Sequence, residues 1–265
     1  MKPLDAAKWI RYFRANRQNR PEPEWDLPIL LQRDIVQKLL PSLEQFQLGD
    51  GGGPAALIAK DAATYRNSSE ATRMLVDLWF EEEREHSRLL GHAVRRFGGT
   101  EIKSHWSFTA FCACRRIIGV RAELQILLLT ELVSTAYYRV LRRHANDQPL
   151  KDMCALILRD EAGHVAFHRD RLAAEARRRG LLWILQFWVF GYSAATMLWA
   201  NHGPCLYPLG AHQSEYFHEV HFQIARFARR LFRSEVRSSG PAISLEEVKV
   251  VPSLAAARQT LNLEN

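Results

Sequence analysis

Residues 79–86 read WFEEEREH and residues 160–164 read DEAGH, and each stretch ends in a glutamate followed three positions later by a histidine. The two pairs are Glu83 with His86 and Glu161 with His164. On a helix, positions i and i+3 project from one face, so each pair can offer a carboxylate and an imidazole to one metal ion. The two stretches therefore predict two helices that face each other across a buried pair of metal ions.

A third carboxylate, Glu131, lies between these stretches in the apolar run LLLTEL of residues 127–132. A charge buried without a partner is costly, so Glu131 needs a partner such as a metal ion. It precedes Glu161 by 30 residues, with a helix break expected at 146–149. Antiparallel arms of about 21 and 17 Å would bring both glutamates to similar height. The 45 residues from His86 to Glu131 predict a long crossover between the two halves of a four-helix bundle.

A symmetric site needs one more acid about 30 residues before Glu83. Asp50 lies 33 residues upstream, among glycines, and Glu44 lies 39 residues upstream in a more helical context. If residues 27–65 form one long, distorted helix, Asp50 has the better height, so we favour it and leave Glu44 open. The predicted metal ligands are then Asp50, Glu83, His86, Glu131, Glu161 and His164.

Long runs rich in Ala, Leu, Arg, Glu and Gln predict an all-α fold. We interpret residues 1–26 as an N-terminal helix and linker, 27–235 as the helical domain and 236–265 as a C-terminal tail. Only residues 242–252 suggest extended structure. Helices are expected at about 27–48, 55–65, 70–97, 106–118, 121–144, 150–178, 181–200 and 208–234.

Amino-acid composition limits the classes of binding partner and the cellular compartment. The four cysteines lack the spacing of a metal site, and the first residues are polar, so we expect reduced thiols in a cytoplasmic protein. The net charge of +7 comes largely from arginine clusters near predicted helix ends, where they complement the helix dipole. This pattern disfavours nucleic-acid binding.

Residues 181–200 contain no charged side chain and are long enough to span a membrane. Gln186, Tyr192 and Ser193 lie within this stretch, and a buried helix of a large bundle has the same composition. We therefore expect a fully buried helix rather than a membrane span.

The motifs resemble those of the ferritin-like di-iron carboxylate superfamily. Residues 79–86 look like the Trp-x-x-Glu-Glu-x-x-His segment of soluble acyl-carrier-protein desaturases, and residues 160–164 match their Asp-Glu-x-x-His. Residues 46–50, FQLGD, look like a Phe-Gln-Leu-Gly-Glu segment of bacterial ferritin-like proteins, with Asp50 in place of the glutamate. The resemblance covers roughly residues 40–200. It implies a ferritin-like four-helix bundle with a long crossover and additional C-terminal helices.

The resemblance also implies roles for the individual ligands. Glu83 and Glu161 would bridge the two metal ions, and His86 and His164 would bind one ion each. Glu131 and one carboxylate of the first helix would be terminal or bridging ligands. Glu82 and Asp160, the acids that precede the two motifs, would each orient the opposite histidine and raise its basicity.

Residues near the motifs carry further expectations. Trp79, Phe80 and Phe167 should build an apolar shell that keeps water from the site. Tyr137 and Tyr138 should pack in the core. His168, one turn after His164, could line the site, but a position on the helix surface is expected.

Carboxylate-rich coordination suits iron or manganese, so we expect two iron ions, with manganese as the alternative metal. The expected activity is that of an oxygen-dependent di-iron oxidase or oxygenase, which would hydroxylate, desaturate or N-oxygenate an organic substrate. That substrate would be a small molecule or carrier-bound, and the electron donor and a homodimeric state stay open. One alternative is ferroxidase, peroxide-scavenging or iron-binding activity. Another is a non-catalytic helical interaction module.

Overall fold

The computed structural model describes residues 4–18, 20–52, 56–67 and 69–233. Within these residues the secondary structure is helical without strands, which confirms the predicted all-α class. A compact unit spans Met1–Arg233, and the extended segment and tail expected beyond residue 235 lie outside the described part. The helices are α1 Ala6–Gln18, α2 Arg33–Gln47, α3 Ala62–Arg66, α4 Glu70–Arg96, α5 Trp106–Ile117, α6 Val120–His144, α7 Gln148–His202 and α8 Gln213–Arg233.

Helix α4 begins and ends where its sequence predicts. The hydroxyl of Ser69 accepts a hydrogen bond from the backbone N–H of Thr72 at 3.3 Å, which satisfies a free donor of the first turn. Arg95 and Arg96 lie in the last turn, where positive charge is favourable, and Gly98 follows with a φ of 81°. Its length places residues 83–86 near the middle of the bundle.

Helices α6 and α7 are joined by residues 145–147 alone, so they are antiparallel neighbours. Asp147 caps α7 by accepting a hydrogen bond from the backbone N–H of Leu150 at 3.2 Å. The same side chain accepts a bond of 2.9 Å from buried Arg96 at the end of α4. This connection therefore fixes α6 and α7 relative to α4.

The core of the bundle lies among α2, α4, α6 and α7, with α8 packed against α6 and α7. α2 begins at Arg33 rather than at residue 27, and it continues through Pro41 to a short π-helical turn, Leu48–Gly52. The expected helix over 55–65 is limited to α3. The first bundle helix is therefore shorter than predicted, and Asp50 lies in the irregular turn at its end.

The second half of α7 contradicts the expectation of a fully buried helix. Gly180 interrupts α7 with a φ of 59°, and the helix beyond it buries one face, which includes Trp183 and Phe187. Leu185 and Phe190 on its other face are more than half exposed. Leu129 of α6 and Ile224 of α8 lie against Gly191 of this segment, which is buried. Among the described residues, Gly180–Cys205 is the stretch that has the length and hydropathy of a membrane span, and 22% of its apolar 18-residue window is buried.

Helix α1 packs on the bundle beside the second motif. Trp9 and Phe13 are buried and form aromatic contacts with Phe167 of α7. A β-carbon on Gly163 would lie 2.3 Å from the hydroxyl oxygen of Tyr12, so the glycine inside the second motif permits the close approach of α1. The N-terminal segment expected to be a helix and linker thus forms one wall of the site.

Candidate metal centre

Five of the predicted ligands form two overlapping groups. Glu83, Glu131 and His164 make one group, and Glu83, His86 and Glu161 make the other. Within each group the ligand atoms lie within 4.8 Å of one another. The two histidine rings are 5.7 Å apart between centroids, and both are fully buried. Buried glutamates and histidines thus form groups that could hold metal ions, and Glu83 is common to both.

Glu83 and Glu161 each direct one carboxylate oxygen toward each histidine. The two oxygens of Glu83 lie 3.6 Å from Nδ1 of His86 and 3.1 Å from Nδ1 of His164. Those of Glu161 lie 3.8 and 3.7 Å from the same two nitrogens. This is the placement that a bridging carboxylate needs.

The outward nitrogens of the two histidines pair in a crossed manner. Nε2 of His86 lies 3.1 Å from Asp160 on α7, and Nε2 of His164 lies 3.0 Å from Glu82 on α4. Each acid therefore accepts from the histidine of the opposite motif, as the resemblance led us to expect. Such a bond fixes the ring so that Nδ1 faces the site, and it makes that nitrogen a stronger ligand.

Helix α1 and the segment after it add a third layer that sequence reasoning missed. The amide of Asn16 donates to Glu82 at 2.8 Å and to Asp160 at 2.7 Å. Arg20 donates to Asp160 and lies 3.6 Å from Glu82. Both acids that orient the histidines are thus held by one short N-terminal segment. No motif marks Asn16 or Arg20, because their partners lie more than 60 residues away.

Several buried atoms that face the site have no hydrogen-bond partner among the described residues. They are Nδ1 of His86, Nδ1 of His164, both carboxylate oxygens of Glu131 and Oε2 of Glu161. Buried polar atoms are nearly always satisfied, and unsatisfied ones are costly. Metal cations at the centre would satisfy all of them, and the set of carboxylate and imidazole donors fits iron or manganese.

The electrostatics show at which side chains protons compete with a metal ion. Burial raises the pKa of Glu131 to about 8 and of Glu161 to about 7, with a further contribution from Glu83. Burial disfavours the charged form of both histidines, but the carboxylates around them raise the pKa of His86 and His164 well above the ordinary value. The two nearby histidines outweigh burial at Glu83 and lower its pKa. Without a metal, the cluster therefore retains protons at neutral pH.

Metal affinity should rise as the pH is raised from 6 to 8. Binding must release the protons held by Glu131, Glu161 and the two histidines, so each displaced proton contributes about tenfold per pH unit. Mn²⁺ titrations at pH 6, 7 and 8, followed by calorimetry, would measure this slope. An affinity that is independent of pH would contradict the description of the site as a protonated cluster.

Asp50 lies beside the group that contains His86. Burial raises its pKa to about 8, and the largest electrostatic influences come from Glu83, His86 and Glu161. Tyr138 donates a hydrogen bond of 3.1 Å to its carboxylate. Asp50 is half-buried and belongs to neither three-ligand group. Glu44 lies elsewhere, where its carboxylate would meet a β-carbon on Gly99 at 2.9 Å. Of the two acids left open, Asp50 is therefore the one near the centre.

The glycine after Asp50 has a packing role. A β-carbon on Gly51 would lie 2.9 Å from the backbone Cα of Arg84, and backbone atoms cannot move aside as a flexible side chain can. Only glycine allows the turn to approach α4 this closely at the first motif. Gly49, two residues earlier, has no atom within 4 Å of such a carbon.

Gly51→Ala should displace Asp50 and weaken metal binding at the His86 side. We expect a loss of about tenfold or more in the affinity for the second metal ion, the size seen when groups that support a ligand are removed. Gly49→Ala is the matched control and should bind both ions normally. Stepwise Mn²⁺ titration of both variants would measure the effect. Equal metal affinity in the two variants would show that metal binding does not depend on the position of Asp50.

His168 corrects the expectation of a surface histidine, because it is fully buried. Its Nε2 lies 3.4 Å from Glu131, and Arg171 donates to its Nδ1 at 3.1 Å. Burial, the charge of Arg171 and the charge of His164 lower its pKa well below the ordinary value, so the ring is neutral. The spacing of four residues from His164 places both histidines on one helix face, and the alternative in which His168 lines the site is the one that agrees with this contact.

The apolar shell expected around the site is present. Trp79, Phe80 and Phe167 are buried in one cluster with Trp9 and Phe13 of α1. Trp79 also donates from Nε1 to Glu83 at 3.1 Å, so it orients a ligand as well as excluding water.

Comparisons with protein-family models, curated proteins and solved structures give no match for this chain.

Proposed function

We propose that the chain is an oxygen-dependent di-iron oxidase or oxygenase of the ferritin-like kind, acting on an organic substrate. The proposal rests on two ligand groups that share Glu83, with one histidine in each and an acid behind each histidine. His164 with Glu131 would hold one ion, and His86 would hold the other. Glu83 and Glu161 would lie between the ions. Manganese fits the same donors.

Two ferrous ions held by these residues would supply the two electrons that reduce dioxygen to the peroxide level. The residues around the ions would orient the ligands and exclude water. Asp160 and Glu82 hold the protons on Nε2 of the histidines, which leaves Nδ1 to bind. Trp79 and its aromatic neighbours keep water from the centre and limit the side reactions that water permits.

One cleft of the protein favours oxidation of an organic substrate over iron storage. It lies between α6, α7 and α8, holds about 80 Å³ and has Glu161 among its lining residues. Leu158, Val165 and Phe227 give it an apolar wall. A ferroxidase needs a route for hydrated ions, whereas an apolar wall beside a ligand suits a carbon skeleton. Oxidation of an organic molecule is therefore better supported than ferroxidase activity.

Metal content and oxygen consumption test the proposal. Protein expressed with ample iron should contain about two iron ions per chain. The ferrous protein should consume oxygen, and a suitable organic substrate with an external electron donor should sustain turnover. Protein that takes up neither iron nor manganese would overturn the metal assignment. Iron oxidation without any substrate-dependent turnover would favour the ferroxidase alternative.

A further inference from the structure

The cleft between α6, α7 and α8 has a basic mouth as well as an apolar wall. Arg139 of α6, Arg169 of α7, and Arg226 and Arg230 of α8 line it. Glu161 is the acid among its lining residues. Three helices that contact one another thus direct arginines toward one opening that reaches a candidate metal ligand.

The charges of two of these arginines are already compensated. Arg139 lies 3.4 Å from Glu219 at Nε, and Arg169 donates to Asp170 at 2.8 Å. Half-buried Arg226 has no acid within ion-pair distance in the described part of the chain. A guanidinium without a partner, held beside an apolar cleft, is suited to a planar anion, because its donors match the two oxygens of a carboxylate.

The inner end of the cleft contains two further unsatisfied groups. Thr135 lies one turn after Glu131, and its buried hydroxyl has no hydrogen-bond partner among the described residues. Oε2 of Glu161 is likewise buried and unpartnered. The cleft thus has an unpaired cation at its mouth and polar atoms at its inner end, near the metal centre. Apolar side chains lie between them.

We propose that this cleft binds a carboxylate-bearing organic substrate, whose carboxylate pairs with Arg226 and whose apolar portion extends toward Glu161. The inference rests on the proposed function and narrows its substrate class to amphipathic acids. A volume of about 80 Å³ is well below that of a pocket for a whole drug-sized ligand, so the cleft takes the narrow end of the molecule. The carboxylate stays at the open mouth.

The larger cleft of the protein does not offer an equivalent site. It holds about 540 Å³ between α1 and α4, and it reaches Glu82 rather than an atom that faces the metals. Arg17, Arg20 and Arg88 pair there with acids, and Arg84 is exposed on the surface of α4. The cleft therefore lacks contact with an atom that faces the metals.

Binding of linear carboxylates tests this inference without any need for turnover. Calorimetry on the metal-loaded protein would use hexanoate, octanoate and decanoate, with the matching primary amides as neutral analogues. We expect the acids to bind at least about tenfold more tightly than the amides, because a charge-assisted bidentate pair is lost in the amide. Arg226→Gln should abolish this difference. Arg229→Gln, an exposed neighbour on α8 outside the cleft, is the matched control.

A second readout reports whether the ligand reaches the centre. In Co²⁺-loaded protein, octanoate should change the visible absorption of the metal, and Ala162→Phe should block the change because Ala162 lines the cleft next to Glu161. Metal content is measured in every variant. If metal binds normally but the acids bind no better than the amides, the substrate inference is wrong and the metal assignment stands.

Two other outcomes are also decisive. If inorganic phosphate or acetate binds as tightly as octanoate, the apolar wall contributes nothing and the cleft is only an anion site, which overturns the inference. If octanoate binds through Arg226 in a protein that takes up no metal, the cleft is a binding site for acids and the proposed oxidase function fails.

Discussion

Replacing Glu83 with alanine should lower the metal content from about two ions per chain to nearly none. Glu83 is the residue common to both ligand groups, and its two oxygens face the two histidines. Without it, one group retains Glu131 and His164, and the other retains His86 and Glu161. A pair of donors holds iron or manganese poorly, and the loss affects both ions at once. Metal analysis after iron-replete expression would measure it.

Glu81→Ala is the matched control on the same helix. Its carboxylate forms a surface ion pair with Arg17, and such pairs contribute about 0–1 kcal/mol. The control should keep its full metal content and its stability. Circular dichroism of both variants would show that the helices are intact. A Glu83→Ala protein that still holds two ions would contradict the bridging role of Glu83.

Replacing Asp160 with alanine should cost about 3–5 kcal/mol in the free energy of unfolding, because it breaks a buried ion pair. Asp160 is fully buried, and Arg20 beside it is nearly so. His86 also loses the acceptor that fixes its ring. Metal affinity should therefore fall by about 10–100-fold as well. Urea unfolding and Mn²⁺ titration would measure the two effects separately.

Asp152→Ala controls for the loss of an acid on the same helix. Asp152 accepts a hydrogen bond from Gln148 in the first turns of α7, away from the site, and its loss should change stability by about 0.5 kcal/mol or less. Asp160→Asn keeps the shape and an acceptor for His86, so it should recover part of the affinity. If Asp160→Ala unfolds at the wild-type urea concentration, the network from α1 to His86 does not support the fold.

The parts that could be predicted from sequence are those with local signals. The bounds of α4 follow from the cap at Ser69 and the glycine after Phe97, and the break between α6 and α7 follows from residues 146–149. The buried setting of Glu131 follows from its apolar neighbours. Helical periodicity then places the two motifs on facing helices.

The parts that could not be predicted depend on contacts between distant segments. Arg20 and Asn16 look like ordinary polar residues until α1 lies against α4 and α7. The exposed face of Leu185 and Phe190 depends on how many neighbouring helices cover that part of α7. Gly51 belongs to a glycine-rich run that carries no packing signal in the sequence, and only the backbone of α4 beside it explains the absence of a side chain.

The wall formed by α1 sets an order of events during synthesis. Asn16 leaves the ribosome 144 residues before its partner Asp160. The surface that α1 packs against is therefore incomplete until most of the chain has been made. Translation at about 5–20 residues per second makes this delay several seconds or longer. During that interval the emerging acids and imidazoles are open to the surrounding solution. Docking of the first helix afterwards brings Asn16 against Glu82 and Asp160.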